Sequence, residues 1–296
     1  FEKPSPVQEK CIPIVLNEDT DLVALAQTGT GKTASFGLPL IQKIDNDNRK
    51  TQALVLAPTR ELCIQITADL KDFACFKKTN VVAVYGGASI TDQAKKLKKG
   101  AQVIVATPGR LQDMINRRLV DLSHIDYLVL DEADEMLNMG FQDAIDEILE
   151  TASEDRNTWL YSATMPKAVA KIASNYMKDP VEVTCGTKNQ AASTVEHEYY
   201  LIDNRDRYRT LRRIVDSCPG IYAIIFCRTR AETQNVAERL MADGYNTGGL
   251  HGDMSQVQRD GVMKQFKTKN ITILVATDVA SRGIDVDDIS HVIHYQ

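Results

Sequence analysis

The sequence predicts an α/β protein: two consecutive domains, each a parallel sheet covered by helices. Three observations carry that expectation. Short apolar runs alternate with helical patterns from end to end, the sequence form of strands buried on both faces. One small, polar stretch without periodicity, 187–194, breaks the alternation once and reads as a linker. The length, 296 residues, suits about two domains. The expected domains are therefore 1–186 and 195–296.

The first half reaches its first strand at Leu22–Ala26. Gly29 and Gly31 end that run, Lys32 and Thr33 follow, and 34–44 reads as a helix. Strand, glycine loop, Lys-Thr and helix in this order spell a phosphate-binding loop, Gln27-Thr28-Gly29-Thr30-Gly31-Lys32-Thr33. Glycine lets backbone N–H groups turn around phosphate oxygens, and the helix start adds orphan donors and a partial positive charge. Lys32 is placed to reach the β- and γ-phosphates, and Thr33 to offer its hydroxyl to Mg²⁺. The usual G-x-x-x-x-G-K-[ST] pattern is broken once, by Ala26 in the place of its first glycine. Further strands are expected at 53–57, 81–85, 102–106, 127–130, 158–162 and 181–184, with helices between them. After the linker they resume at 197–202, 222–227, 247–251, 271–276 and 291–294.

Asp131-Glu132-Ala133-Asp134 directly follows the run 127–130. Carboxylates at the carboxyl end of a central strand sit where open α/β sheets bind ligands. Asp131 suits a Mg²⁺ ligand and Glu132 a base that orients an attacking water. The plain alternative, an acidic helix cap, loses ground because the phosphate loop lies on another strand of the same half. Pro58-Thr59-Arg60, Gly86-Gly87 and Thr107-Pro108-Gly109-Arg110 also follow strands. They suit contacts to phosphates and sugars, although each taken singly reads as an ordinary turn or helix start.

Bulk properties exclude several classes. No apolar run is long enough to span a bilayer. The six cysteines contain no C-x-x-C pair, so free buried thiols in a reducing, cytoplasmic setting are expected rather than zinc or disulfides. A net charge of −5 argues against nucleic-acid binding by bulk attraction, so any such site is local. With 6% aromatic residues there is no stacking platform. The basic clusters Lys95–Lys99 and Arg205–Arg213 read as solvated helix faces.

With these motifs in order, the chain resembles the DEAD-box ATP-dependent RNA helicases of helicase superfamily 2. Phe1-x-x-Pro4-x-Pro6-Val7-Gln8 is similar to the family's Q motif, 26–33 to motif I, and 58–62, 86–87 and 107–110 to motifs Ia, GG and Ib. Ser162-Ala163-Thr164 is similar to motif III, 225–229 to motif IV, Gln256-x-x-Arg259 to the QxxR element, and 276–285 to motif V. The resemblance implies two RecA-like domains, with ATP and Mg²⁺ as ligands and RNA held through its backbone without reading bases. It implies that Gln8 reads the adenine edge, that Phe1 packs near the base, and that Asp285 holds the ribose. It makes Ser162 and Thr164, with Asp134, a relay between nucleotide state and RNA grip; the residues alone also allow both hydroxyls only to hydrogen-bond the aspartates of the turn at 131–134. In the second half it implies RNA contacts from Arg228, Gly252, Gln256, Arg259, Thr277, Arg282 and Gly283. A monomer is expected, without membrane association, with protein partners recruited by tails.

Both ends read as cut, at Phe1 and at Gln296 after an apolar run. The family's last motif, with two arginines that reach the γ-phosphate, is not in the sequence. Such arginines are worth on the order of 10³–10⁵ in rate. The expectation is a fragment with an incomplete second domain that binds nucleotide but hydrolyses it weakly. The rival expectation is a nucleotide-gated RNA clamp without productive unwinding.

Overall fold

A computed structural model describes residues 3–185, 195–277, 286 and 288–295. Phe1, the linker 187–194, Arg282, Gly283 and Asp285 lie outside the described residues. The chain divides into two compact units, Phe1–Ala192 and Ser193–Gln296.

The first unit runs α1 (Pro6–Asn17), β1 (Leu22–Leu25), α2 (Lys32–Lys43), β2 (Ala53–Leu56), α3 (Arg60–Phe73), β3 (Val81–Val84) and α4 (Ile90–Lys98). It continues through β4 (Val103–Ala106), α5 (Pro108–Asn116), β5 (Tyr127–Leu130), α6 (Ala133–Asn138), α7 (Gln142–Thr151), β6 (Asn157–Ser162), α8 (Lys167–Tyr176) and β7 (Val181–Thr184). Its strands form one parallel sheet in the order β3-β4-β2-β5-β6-β1-β7. Successive residues of a strand enter opposite cores, because strand side chains alternate. Ala53 and Val55 join Leu22, Phe36 and Ile66 on one face; Leu54 and Leu56 join Leu111, Leu128 and Ile148 on the other. That two-sided burial is why β2 and β4 read as unbroken apolar runs. α2 packs against α3 at Gly37, where a Cβ would stand 2.8 Å from Leu70 Cδ2. At the other end of the strands, buried Asp21 accepts hydrogen bonds from the N–H groups of Thr158 and Lys178, both at 2.6 Å.

The second unit holds α9 (Arg207–Ser217), β8 (Ala223–Cys227), α10 (Arg230–Ala242), β9 (Thr247–Leu250), α11 (Gln256–Lys267), β10 (Ile273–Thr277) and β11 (His291–Tyr295). Its sheet is parallel, in the order β11-β8-β10-β9, again with a core on each face.

One expected strand is corrected. Residues 197–202 are irregular rather than extended in a sheet, and Tyr199 and Leu201 are 85% and 92% exposed. The aromatic and branched residues Tyr199, Tyr200, Leu201 and Ile202 do favour extended backbone. A strand, however, exists only beside a neighbour that takes its backbone hydrogen bonds, and neither sheet offers one among the described residues. Helix α2 also begins earlier than expected, so Lys32 and Thr33 belong to its first turn. The cysteines are free, with Cys11, Cys63 and Cys227 buried and Cys75 exposed. Among the described residues no helix is long and apolar enough to cross a membrane.

Candidate active site

The strand order gathers the chemistry. β5, β6 and β1 are consecutive neighbours, so the loops after them share one stretch of the sheet's carboxyl edge. After β1 comes the glycine loop. Gly29 and Gly31 adopt left-handed φ of 75° and 86°, a conformation that costs other residues about 1–2 kcal/mol. Gly31 N-caps α2, leaving the first-turn N–H groups of Lys32 and Thr33 as orphan donors. Ala26 is buried and continues the strand through a 3.0 Å hydrogen bond to Ser162 O. It has no left-handed φ, which explains why alanine serves in glycine's usual place.

Gln8 on α1 seats the loop. Its Nε2 donates to Gly31 O at 3.1 Å and its Oε1 accepts from Ser5 N at 2.9 Å. A Cβ on Gly31 would come within 2.5 Å of Gln8 Nε2. Thr30 Oγ1 donates to Gln27 O at 2.7 Å and closes the loop tip.

Lys32 is 6% exposed, and its Nζ is buried without a hydrogen-bond partner among the described residues. Its positive charge acts on both Asp131 and Glu132. Asp131, at the tip of β5, is 3% exposed and accepts from Glu132 N at 3.0 Å. Burial raises the Asp131 carboxyl above its ordinary value, against the pull of Lys32 and the Glu132 N–H. Burial, then the neighbouring Asp131, pushes Glu132 up from 4.5 to about 7, with Lys32 opposing. Glu132 also holds a left-handed φ of 52°, rare for a residue with a long side chain. β6 contributes the third piece. Ser162 Oγ accepts from Asp134 N at 3.3 Å and donates to Thr164 O at 2.7 Å. Thr164 donates its N–H and hydroxyl to Asp134 Oδ2 at 2.9 and 2.6 Å.

A desolvated cation without a partner, at a helix start and acting on one buried and one half-buried carboxylate, suits a polyanion carried with a divalent cation. Mg²⁺ is held by one or two carboxylates plus phosphate oxygens rather than by a protein cage. Asp131 and the Thr33 hydroxyl fit that pattern. No cluster of three or more His, Cys, Asp or Glu residues suited to a metal occurs among the described residues.

The other expected residues fall on the neighbouring strands β2, β4 and β3. Thr59 N-caps α3, its hydroxyl accepting from Leu62 N at 3.2 Å, and Pro58 precedes it. Arg60 lies over the Tyr85 ring, 4.9 Å from its centroid. Gly87 has a left-handed φ of 80°, and a Cβ on Gly86 would meet nothing within 4 Å. Thr107 precedes α5, which starts at Pro108, and Gly109 would touch only Phe141. Arg110 donates to Ala88 O at 3.0 Å, tying the loops after β3 and β4 together. In the second unit Arg228 and Gly252 follow β8 and β9, Thr277 ends the adjacent β10, and Gln256 and Arg259 ride on α11. Gln256 Nε2 donates to Asp260 at 2.9 Å.

Two contributors escaped sequence reasoning. Ser5 fixes the Gln8 amide; its signal was present as Ser5-x-x-Gln8, a capping-box spacing at a helix start. The left-handed backbone of Glu132 had no sequence signal.

Comparison with known proteins agrees with this geometry. The DEAD/DEAH box helicase model matches residues 5–172, and the helicase conserved C-terminal domain matches 206–296. The chain belongs to the DEAD/DEAH box helicase family. It is 45% identical over 295 residues to the ATP-dependent RNA helicase CshA of Listeria monocytogenes, covering all of this chain and 56% of that protein. It is 42% identical to the Bacillus subtilis CshA, a DEAD-box ATP-dependent RNA helicase, covering 60% of it. The chain thus spans little more than half the length of these curated relatives. Among solved structures, a DEAD box protein of Methanococcus jannaschii is 41% identical with a TM-score of 0.62, all of this chain matching 80% of that one. Yeast Dbp5 bound to RNA and ADP BeF3 is 29% identical with a TM-score of 0.90, all of this chain matching 75% of it. Both sheets are accordingly RecA-like.

Proposed function

We propose that this chain is the core of an ATP-dependent RNA helicase that hydrolyses ATP with Mg²⁺ and locally separates or remodels RNA duplexes. The observation that carries the reading is the buried, unpartnered Lys32 ammonium acting on the Asp131 and Glu132 carboxylates of a nearby strand tip. Lys32 and the N–H groups of 28–33 bind the triphosphate, with Gln8 holding the loop and meeting the base. Thr33 and Asp131 would hold Mg²⁺, which when bound would offset phosphate charge. Glu132 orients and deprotonates the attacking water. The Asp134, Ser162 and Thr164 hydrogen bonds connect the site to the rest of the sheet edge, and RNA backbone is gripped at 58–60, 86–87 and 107–110. Arg228, Gly252, Gln256, Arg259 and Thr277 extend the grip from the second domain. The domains are 1–186 and 195–296, and their movement couples the two ligands.

RNA-stimulated phosphate release, followed beside strand displacement, tests this. Glu132→Gln is expected to keep nucleotide affinity and lose release by about 10²-fold or more. Phosphate release by the variant at the parent's rate would remove Glu132 from the role. ATP-dependent holding of RNA without any displacement would favour a clamp.

A further inference from the structure

The described residues contain a second concave feature, in the second unit between α9 and α10. It is a groove of about 600 Å³ lined on the α9 side by Arg209, Arg212 and Arg213 and on the α10 side by Arg239. That volume is within the range of ligand and peptide sites. We propose that this groove docks an acidic peptide segment of a protein partner.

Its floor is held in place. Arg239 stacks on the Tyr208 ring with its Cζ 3.6 Å from the centroid. Tyr208 donates its hydroxyl to Asp243 at 2.8 Å, and Arg212 contacts the same carboxylate at 3.5 Å. Arg212 also reaches Asp216 at 3.9 Å, and Tyr245 donates to Asp216. These guanidiniums and carboxylates are committed to one another. Arg209 and Arg213 are different. Both are exposed, and they form no ion pair or hydrogen bond among the described residues. Four residues apart on a helix, they share one face and point into the same opening. Two uncommitted guanidiniums over a rigid charged floor recognise paired carboxylates, since the planar fork matches a carboxylate.

A peptide fits better than RNA for two reasons. The carboxylates of Asp216 and Asp243 keep lone pairs that can accept from backbone N–H groups, which a peptide supplies along its length and a phosphate chain lacks. The groove also lies away from the strand-tip loops. α10 leaves the carboxyl end of β8 at Arg230 and ends at Ala242 before β9 begins, and α9 ends just before β8 begins. Arg213, Asp216, Arg239 and Asp243 therefore sit toward the amino ends of strands whose carboxyl ends carry Arg228, Thr277 and Gly252.

The test is fluorescence anisotropy on the full chain with a fluorescein-labelled twelve-residue Glu/Asp peptide as probe. Saturable binding that weakens with salt is expected. Arg209→Glu with Arg213→Glu should lower affinity by about tenfold or more, and Arg209→Gln with Arg213→Gln by a smaller factor. Lys167→Glu with Lys171→Glu on α8, the same charge change elsewhere, should leave affinity unchanged. Thermal melting of each variant identifies any that misfold, and the glutamine pair keeps the test open if the glutamate pair does. No saturable binding, an equal loss in the α8 pair, no loss in the glutamine pair, or displacement of the peptide by a short single-stranded RNA would each overturn the proposal.

Discussion

The carboxyl edge of the first sheet has two halves that solve different problems with similar loops. At β1, β5 and β6 the charges are desolvated: Lys32 and Asp131 are almost fully buried, and burial drives both Asp131 and Glu132 upward. At β2, β4 and β3 the same position on each strand carries a helix start or a glycine turn. There the cations Arg60 and Arg110 are held by a tyrosine face and a backbone carbonyl. The first half concentrates desolvated charge of both signs. The second presents positioned groups that keep their own partners, which suits contact with a backbone rather than chemistry on it.

The largest expected break between the halves comes from Lys32→Ala. An orphan cation in a dry site has nothing to replace it, so nucleotide binding should fall by about 100-fold or more. Calorimetric titration with ADP reads this, and equal affinity in variant and parent would dissolve the contrast. Next comes a pair of glycines. Gly31→Ala forces a Cβ against Gln8 at a left-handed φ, and should cost about 1–2 kcal/mol of stability as well as nucleotide affinity. Gly86→Ala meets open space and should leave the melting temperature unchanged while weakening RNA. Differential scanning calorimetry of the two side by side checks the difference. Smaller again, Arg60→Ala or Arg110→Ala should weaken RNA uniformly across sequences and reduce the salt slope by about one phosphate contact each, with ADP affinity intact. A sequence-dependent loss would mean that bases are read.

How much of this the sequence disclosed follows the same division. The dry half was legible because its chemistry is written in consecutive residues: Gly29 to Thr33 after an apolar run, Asp131 to Asp134 after another. The strands were legible wherever a run is buried on both faces, as at 53–56 and 103–106. Residues 197–202 misled because aromatic and aliphatic composition favours a strand without supplying a neighbour. Only one partnership between strands was legible, that of Thr164 with the aspartates of 131–134. That Gln8 props Gly31 and that Arg60 lies on Tyr85 depend on how the elements pack, which no local pattern encodes. The groove between α9 and α10 was read as a solvated face because a helical arginine run looks the same whether or not a second helix walls it in.

The smallest expected effect sharpens the comparison through pH. Burial and Asp131 raise Glu132 to about 7, so the folded, nucleotide-free protein holds this proton more tightly than the unfolded chain does. The stability tied to this group is therefore fully present below its ordinary value of 4.5 and is lost as pH rises through about 7. Glu132→Gln cannot lose that proton, so its melting temperature should fall less than the parent's between about pH 5 and 8. No carboxylate among the strand-tip residues of the other half stands in that position, and replacing Arg60 or Arg110 should leave the parent's pH slope in place. If Glu132→Gln and the parent decline in parallel, the carboxylate is solvated in the free protein, and the dry half owes its character to Lys32 and Asp131 alone.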